Sequence, residues 1–112
     1  MPTIFEPKDL PVIEKNGVNI ATLANRTMLG TNALQVERIM LEASAKSSTF
    51  EAVDAERFMY VVRGKGQAFV GEQPLPLDAE SMLWLEKDEP FYLEAGADGG
   101  LEVLLCHAPA SE

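Results

Sequence analysis

Short apolar runs alternate along the whole chain with turn-forming Gly, Pro and Asn residues. Several of these runs are rich in Val, Ile, Phe, Tyr or Leu, and their spacing is typical of strands in a β-sandwich or barrel. The pattern therefore predicts an all-β domain. The candidate strands are Val18–Leu23, Val36–Ala43, Phe58–Arg63, Gln67–Val70, Met82–Leu85, Phe91–Glu94 and Leu101–His107.

The stretch Phe50–Tyr60, which reads FEAVDAERFMY, departs from this pattern. It follows a Ser-Ser-Thr sequence that could cap a helix, and it contains the strong helix formers Ala and Glu. A short helix is therefore the alternative to a strand or loop in this stretch.

The length of 112 residues is enough for one hydrophobic core but hardly for two. We therefore expect residues 1–112 to form a single domain, with residues 1–17 as an N-terminal arm. The longest uninterrupted apolar run is Phe58–Val62, too short for a membrane span or the apolar core of a signal peptide. The sequence predicts no membrane partner.

The formal net charge of -9 would repel a phosphate backbone, so nucleic acid is not expected as a partner. Cys106 is the only cysteine, which excludes an intrachain disulfide and a four-thiolate zinc site. This cysteine content fits a reducing compartment and predicts a cytoplasmic protein.

Three segments carry a resemblance to a known family: ERFMYVVRGKGQAFVGEQPLPL, SMLWLEKDEPFYLEA and LEVLLCHAP. Together they resemble a small single-domain member of the cupin superfamily, over Leu41–Pro109. The resemblance implies a double-stranded β-helix, the jelly-roll barrel whose two antiparallel sheets enclose a small ligand-binding interior. It also implies a homodimer, in which Thr3–Phe5 or Val18–Leu23 leaves a sheet edge that a second chain covers.

Cupins of this kind usually hold a divalent metal with three His and one Glu. When the first cupin motif is aligned on Gly64, its His positions fall on Glu51 and Val53 and its Glu position on Arg57. The His position of the second motif falls on Phe91. Valine and phenylalanine have no lone pair, and the Arg57 guanidinium would repel a divalent ion. The sequence therefore predicts neither a metal nor another cofactor.

The side-chain alternation of a strand predicts that Met59 and Val61 face the interior beside Arg57. Phe91 and Leu93 should line the opposite wall. This is an apolar pocket with a cation, suited to a small, anionic organic molecule whose acidic group Arg57 would grip in bidentate fashion.

A different environment for Arg57 is an ion pair without a ligand. Its partner would then be Glu51 inside the barrel, or Glu56 or Asp54 near the rim.

The alternative to a binding module is a metal-independent isomerase, epimerase, cyclase or lyase. Its catalytic base would be Glu51 or His107, with Arg57 or a Tyr hydroxyl stabilising a developing oxyanion. Burial of Glu51 would raise its basicity, whereas an exposed Glu51 would have no such role. His107 could shuttle a proton, or could simply be solvated or bonded to backbone at a strand end.

Overall fold

Two antiparallel sheets make up the computed structural model of the protein, which describes residues 10–30 and 34–108. The strands are β1 (Val12–Lys15), β2 (Val18–Ala24), β3 (Gln35–Leu41), β4 (Glu56–Gly64), β5 (Gly66–Val70), β6 (Gln73–Leu77), β7 (Met82–Leu85), β8 (Phe91–Ala95) and β9 (Leu101–Ala108), with a helical turn α1 (Arg26–Leu29). The larger sheet has six strands in the order β1-β2-β3-β9-β4-β7, and the smaller has three in the order β6-β5-β8. In these residues no helix is long and apolar enough to cross a membrane.

The two sheets face each other across one hydrophobic core. Every second residue of β4 and β9 points inward, and the register sets Met59 opposite Leu105 and Val61 opposite Val103. All four side chains are fully buried, as is Leu93 on β8 of the smaller sheet. The core is therefore built from both sheets, which confirms the all-β expectation and the jelly-roll architecture.

Seven strands agree with the sequence-based prediction to within a few residues, and two were missed. The missed β6 contains Pro74 and Pro76, which lack the N–H group that a central strand would need. Because β6 pairs only with β5, it is an edge strand and tolerates both prolines. The other missed strand, β1, is exposed along its whole length and has no buried apolar face to mark it in the sequence.

The helix considered for residues 50–60 does not form. Phe50 exchanges two backbone hydrogen bonds with Phe91, with N···O distances of 2.6 and 3.1 Å, and this contact extends the smaller sheet beyond β8. Residues 51–55 are irregular and β4 begins at Glu56. The helix prediction was wrong because hydrogen bonds to a distant strand outweigh a local preference of a few tenths of a kcal/mol per residue.

The free edges of the larger sheet are not where the sequence suggested. The segment Val18–Leu23 lies in β2, which pairs with β1 on one side and β3 on the other, so it offers no edge to a second chain. The expectation of an edge there was wrong, because Val12–Lys15 of the predicted N-terminal arm forms β1 and covers it. Thr3–Phe5 lies outside the described residues.

Gly64, the residue on which the cupin motif was aligned, ends β4 where the chain passes from the larger sheet into β5 of the smaller sheet. Its φ of +91° is in the left-handed region that favours glycine. A Cβ atom at this position would also overlap the carbonyl oxygen of Gly100. Glycine is therefore required here by backbone conformation and by close approach of the chain.

Candidate functional site

Three ionisable side chains turn into the barrel at one of its ends. They are Glu37 on β3, Arg57 on β4 and His107 on β9, the strand that lies between the other two. The register pairs Arg57 directly with His107, and it pairs Glu37 with Leu105, the next inward residue of β9. Arg57 and His107 are buried, although such side chains are usually exposed unless they have partners. A group of this kind inside an apolar barrel is a candidate site.

Glu37 and His107 form a close pair within this group. The Glu37 Oε1 and His107 Nε2 atoms are 3.7 Å apart, and the side chains are 19% and 7% exposed. This distance fits an ion pair but is longer than a direct hydrogen bond. A carboxylate at this position can orient the imidazole and stabilise positive charge on it during proton transfer.

Arg57 is held by main-chain oxygens and an aromatic ring. Its Nη1 donates to the carbonyl of Glu51 at 3.1 Å, and its Nη2 donates to the carbonyl of Glu89 at 2.5 Å. The guanidinium lies 5.1 Å from the centroid of Phe91, which in turn stacks on Phe50 at 4.8 Å. Burial lowers the pKa of Arg57, and the nearby Glu89 carboxylate opposes this shift. The guanidinium keeps its positive charge, because an arginine is not deprotonated in a protein.

The Nε atom of Arg57 has a different environment. It is buried and has no hydrogen-bond partner among the described residues. It therefore remains as a donor that a molecule inside the barrel could use.

The residues at the positions of the cupin metal ligands do not fit a metal. Arg57 and Phe91 do come together, as the motif alignment implies, but they present a cation and an aromatic face. The Glu51 side chain is exposed and only its carbonyl oxygen meets Arg57, while Val53 has no donor side chain. In residues 10–30 and 34–108 there is no group of three or more His, Cys, Asp or Glu side chains able to hold a metal ion.

The predicted lining residues do face the barrel interior. Met59, Val61, Phe91 and Leu93 are each at most 1% exposed, as strand alternation predicted. They pack as a continuous wall of the core. Their contact with a ligand, and that of Arg57, stays a prediction. The bonds to two carbonyls use two of the five Arg57 N–H donors, so the expected bidentate grip would have to use Nε and a remaining Nη hydrogen.

Glu37 was not identified from the sequence. It lies in the segment QVERIML, where polar and apolar residues fall on both faces, so alternation alone does not show which face is inward. Ile39 and Leu41, which share its parity, are the most deeply buried residues of β3. This shared parity is the signal that could have revealed an inward Glu37.

A separate cleft of about 230 Å³ opens between the β1–β2 hairpin and residues 46–50. Val18, Ile20 and Phe50 form its apolar side, and Ser48 and Thr49 add hydroxyl groups. The cleft contains none of the three ionisable side chains described above.

Comparisons by sequence find no relative: no protein-family model matches the chain, and no curated protein is significantly similar to it. Solved structures do match. A predicted oxalate decarboxylase from Thermotoga maritima has a TM-score of 0.80 at 14% identity, covering 96% of this chain and 99% of its own. An RmlC-like cupin from Shewanella frigidimarina has a TM-score of 0.77 at 16% identity, covering 100% and 95%.

A third structure is a nucleoside dehydratase whose variants from Streptomyces were solved with uridine. Its TM-score is 0.80 at 18% identity, and the match covers 100% of this chain and 86% of the dehydratase. At such low identities these likenesses establish the fold alone. The chain has the cupin fold, as the sequence resemblance implied.

Proposed function

We propose that this cupin barrel binds a small organic molecule at the end formed by Glu37, Arg57 and His107, and that it does so without a metal. One observation carries the proposal: the side chains of Glu37, Arg57 and His107 point into the interior of the barrel, whose walls are mainly apolar. Buried polar groups that converge beside an apolar wall fix the orientation of a ligand, while the wall supplies burial.

The charges at this end favour an anionic ligand. Arg57 is a permanent cation, and its two described hydrogen bonds go to neutral carbonyl oxygens rather than to carboxylates. We therefore propose an anion whose acidic group lies near Arg57 Nε, with Met59 and Phe91 forming part of the wall behind it.

Glu37 and His107 also support a second candidate function, metal-independent proton transfer. An imidazole 3.7 Å from a carboxylate can take a proton from a bound molecule and return it elsewhere, as in an isomerase, epimerase, cyclase or lyase. The existence of a nucleoside dehydratase with this fold supports such chemistry only by analogy. Glu51 is the weaker base because its side chain is exposed.

Binding is tested with protein treated with a chelator. A thermal-shift screen of small carboxylic acids, phosphate esters and nucleosides supplies hits, and calorimetry measures their affinity. We expect Glu37→Gln or His107→Asn to weaken a hit about ten-fold, the effect of one charge-assisted contact. Lys65→Gln, an exposed change, should leave affinity unchanged. Hits that need added metal, or that bind both site variants as tightly as the wild type, would refute the proposal.

Catalysis is tested separately by proton NMR in D₂O. A proton-transfer enzyme should introduce deuterium at a carbon of the bound molecule or convert it to product. His107→Asn should abolish this exchange and Glu37→Gln should slow it, whereas Glu51→Gln, the same chemical change at an exposed site, should have no effect. If the molecule binds but undergoes neither deuterium exchange nor conversion to product, the protein is a binding module and the proposal of proton-transfer catalysis is rejected.

We also propose a cytoplasmic location, which is supported by the single free cysteine.

A further inference from the structure

The cleft at the β1–β2 hairpin lies between one end of the larger sheet and the free edge of the smaller sheet. In the register of the hairpin, Ile13 lies opposite Ile20 and Lys15 lies opposite Val18. Strand alternation places these four side chains on the face that lines the cleft, and it places Glu14 on the other face. The hairpin therefore gives the cleft an apolar wall with a cation near its turn.

The opposite wall of the cleft contains a β-bulge. Lys46 pairs with Glu94 and Phe50 pairs with Phe91, so four steps along this segment match only three steps along β8. One extra residue therefore lies between Lys46 and Phe50 without a partner on β8. Bulges are common beside functional sites, where they re-aim a side chain or end the pairing of a strand.

The bulge leaves hydrogen-bond donors at the cleft. Ser47 and Phe50 donate their N–H groups to carbonyls of β8, with N···O distances of 2.8 and 2.6 Å. Between them, the N–H groups of Ser48 and Thr49 have no acceptor in the part of the chain that the structure describes. Both residues line the cleft, and each adds a hydroxyl group. Adjacent N–H and O–H donors of this kind can bind the oxygens of an anion.

The charge of the cleft is opposite to that of the chain. Among the described residues that line it, Lys15 and Lys46 are charged and none is Asp or Glu, although the chain has 18 acidic residues. Neither lysine forms an ion pair with a described carboxylate. The Lys46 ammonium lies 4.8 Å from the centroid of the Tyr92 ring, and a ring contact leaves N–H donors of the ammonium available. This charge favours an anionic occupant.

The size of the cleft limits that occupant to a small molecule. A volume of about 230 Å³ equals that of about eight water molecules in the liquid. A molecule of about ten non-hydrogen atoms would fill it, whereas a folded partner would not fit.

We propose that this cleft is a second binding site, which takes a small carboxylate with one apolar ring or short alkyl chain. Its carboxylate lies between Lys15, Lys46 and the donors of residues 48–49, and its apolar part packs on Ile20 and Phe50. The site includes none of Glu37, Arg57 and His107, so it does not depend on the ligand proposed for the barrel end.

The experiment is a titration with 3-phenylpropanoate followed by two-dimensional amide NMR. We expect saturable shifts with a Kd of about 1 mM or below, largest at Ser48, Thr49 and Ile20. The alcohol 3-phenyl-1-propanol has the same apolar part without the charge, and acetate has the charge without the apolar part. Each should bind about ten-fold more weakly or worse.

Variants test the role of the two cations. The double variant Lys15→Gln with Lys46→Gln should weaken 3-phenylpropanoate about ten-fold, because each exposed ion pair contributes up to a few-fold. Lys65→Gln, the same change at an exposed lysine outside the cleft, should leave the Kd unchanged. The amide spectrum of each variant also shows whether it is folded.

Three results would overturn the proposal: no saturation at about 10 mM, equal affinity for the alcohol, or an unchanged Kd in the double lysine variant. Shifts confined to the surroundings of Arg57 and His107 would also overturn it, and they would leave the barrel-end site standing.

Discussion

Replacement of Arg57 tests whether this side chain supports the fold or is free to grip a ligand. Arg57 is 2% exposed and donates to the carbonyls of Glu51 and Glu89. Arg57→Met keeps much of the apolar stem but removes both donors and the contact with Phe91. Each lost hydrogen bond costs about 1 kcal/mol and the lost ring contact about 1 kcal/mol.

Relief of the buried charge offsets part of this loss, because desolvation of a guanidinium is itself unfavourable. The expected net change is a decrease of about 2 kcal/mol in the free energy of unfolding. The assay is urea denaturation followed by circular dichroism, at one protein concentration, because self-association changes apparent stability.

Arg63→Met is the matched control for Arg57→Met. The Arg63 side chain is 73% exposed and makes one ion pair with Glu102, with Nε and Oε1 2.7 Å apart. An exposed pair of this kind contributes less than about 1 kcal/mol. If Arg57→Met were as stable as Arg63→Met or the wild type, the bonds to the two carbonyls would not hold the fold. The sequence-based role of Arg57 as a ligand grip would then be favoured.

Three further predictions follow from the same contacts. Gly64→Ala should lower the free energy of unfolding by more than about 2 kcal/mol in the same assay, because φ is +91° and a Cβ would overlap the Gly100 carbonyl; unchanged stability would contradict this backbone conformation and close approach. A double-mutant cycle with Glu37→Gln and His107→Asn should give a coupling energy of about 1 kcal/mol, and a coupling energy of zero would show that the two side chains do not interact. Burial raises the pKa of the Cys106 thiol by disfavouring the thiolate, so iodoacetamide should modify it more slowly at pH 8 than it modifies free cysteine; an equal rate would contradict this environment.

The strands could be predicted from the sequence because most of them place an apolar face against the core. Met82–Leu85 was predicted with its observed bounds, and Phe91–Glu94 was one residue short. β1 and β6 could not be predicted in this way. One has no buried face, and the other contains prolines that only an edge position explains.

The site was less predictable than the fold, because its contacts join residues that are distant in the chain. The inward direction of Arg57 followed from alternation, but its partners are carbonyl oxygens, which every residue has and no side-chain pattern marks. Glu37 meets His107 only because β3 and β9 are neighbours in the sheet. Strand order of this kind is a property of the assembled topology, and neither strand's own sequence contains it.

The most direct test of the central claim is a crystal structure of the protein with its tightest screened hit, together with analysis of the crystals for metal. Our account predicts density for the organic molecule inside the barrel, in contact with His107 and within reach of Arg57 Nε, with no bound metal ion. A molecule found only in the cleft beside Phe50 or on the outer face of the larger sheet, or a metal ion held among Glu37, Arg57 and His107, would contradict it.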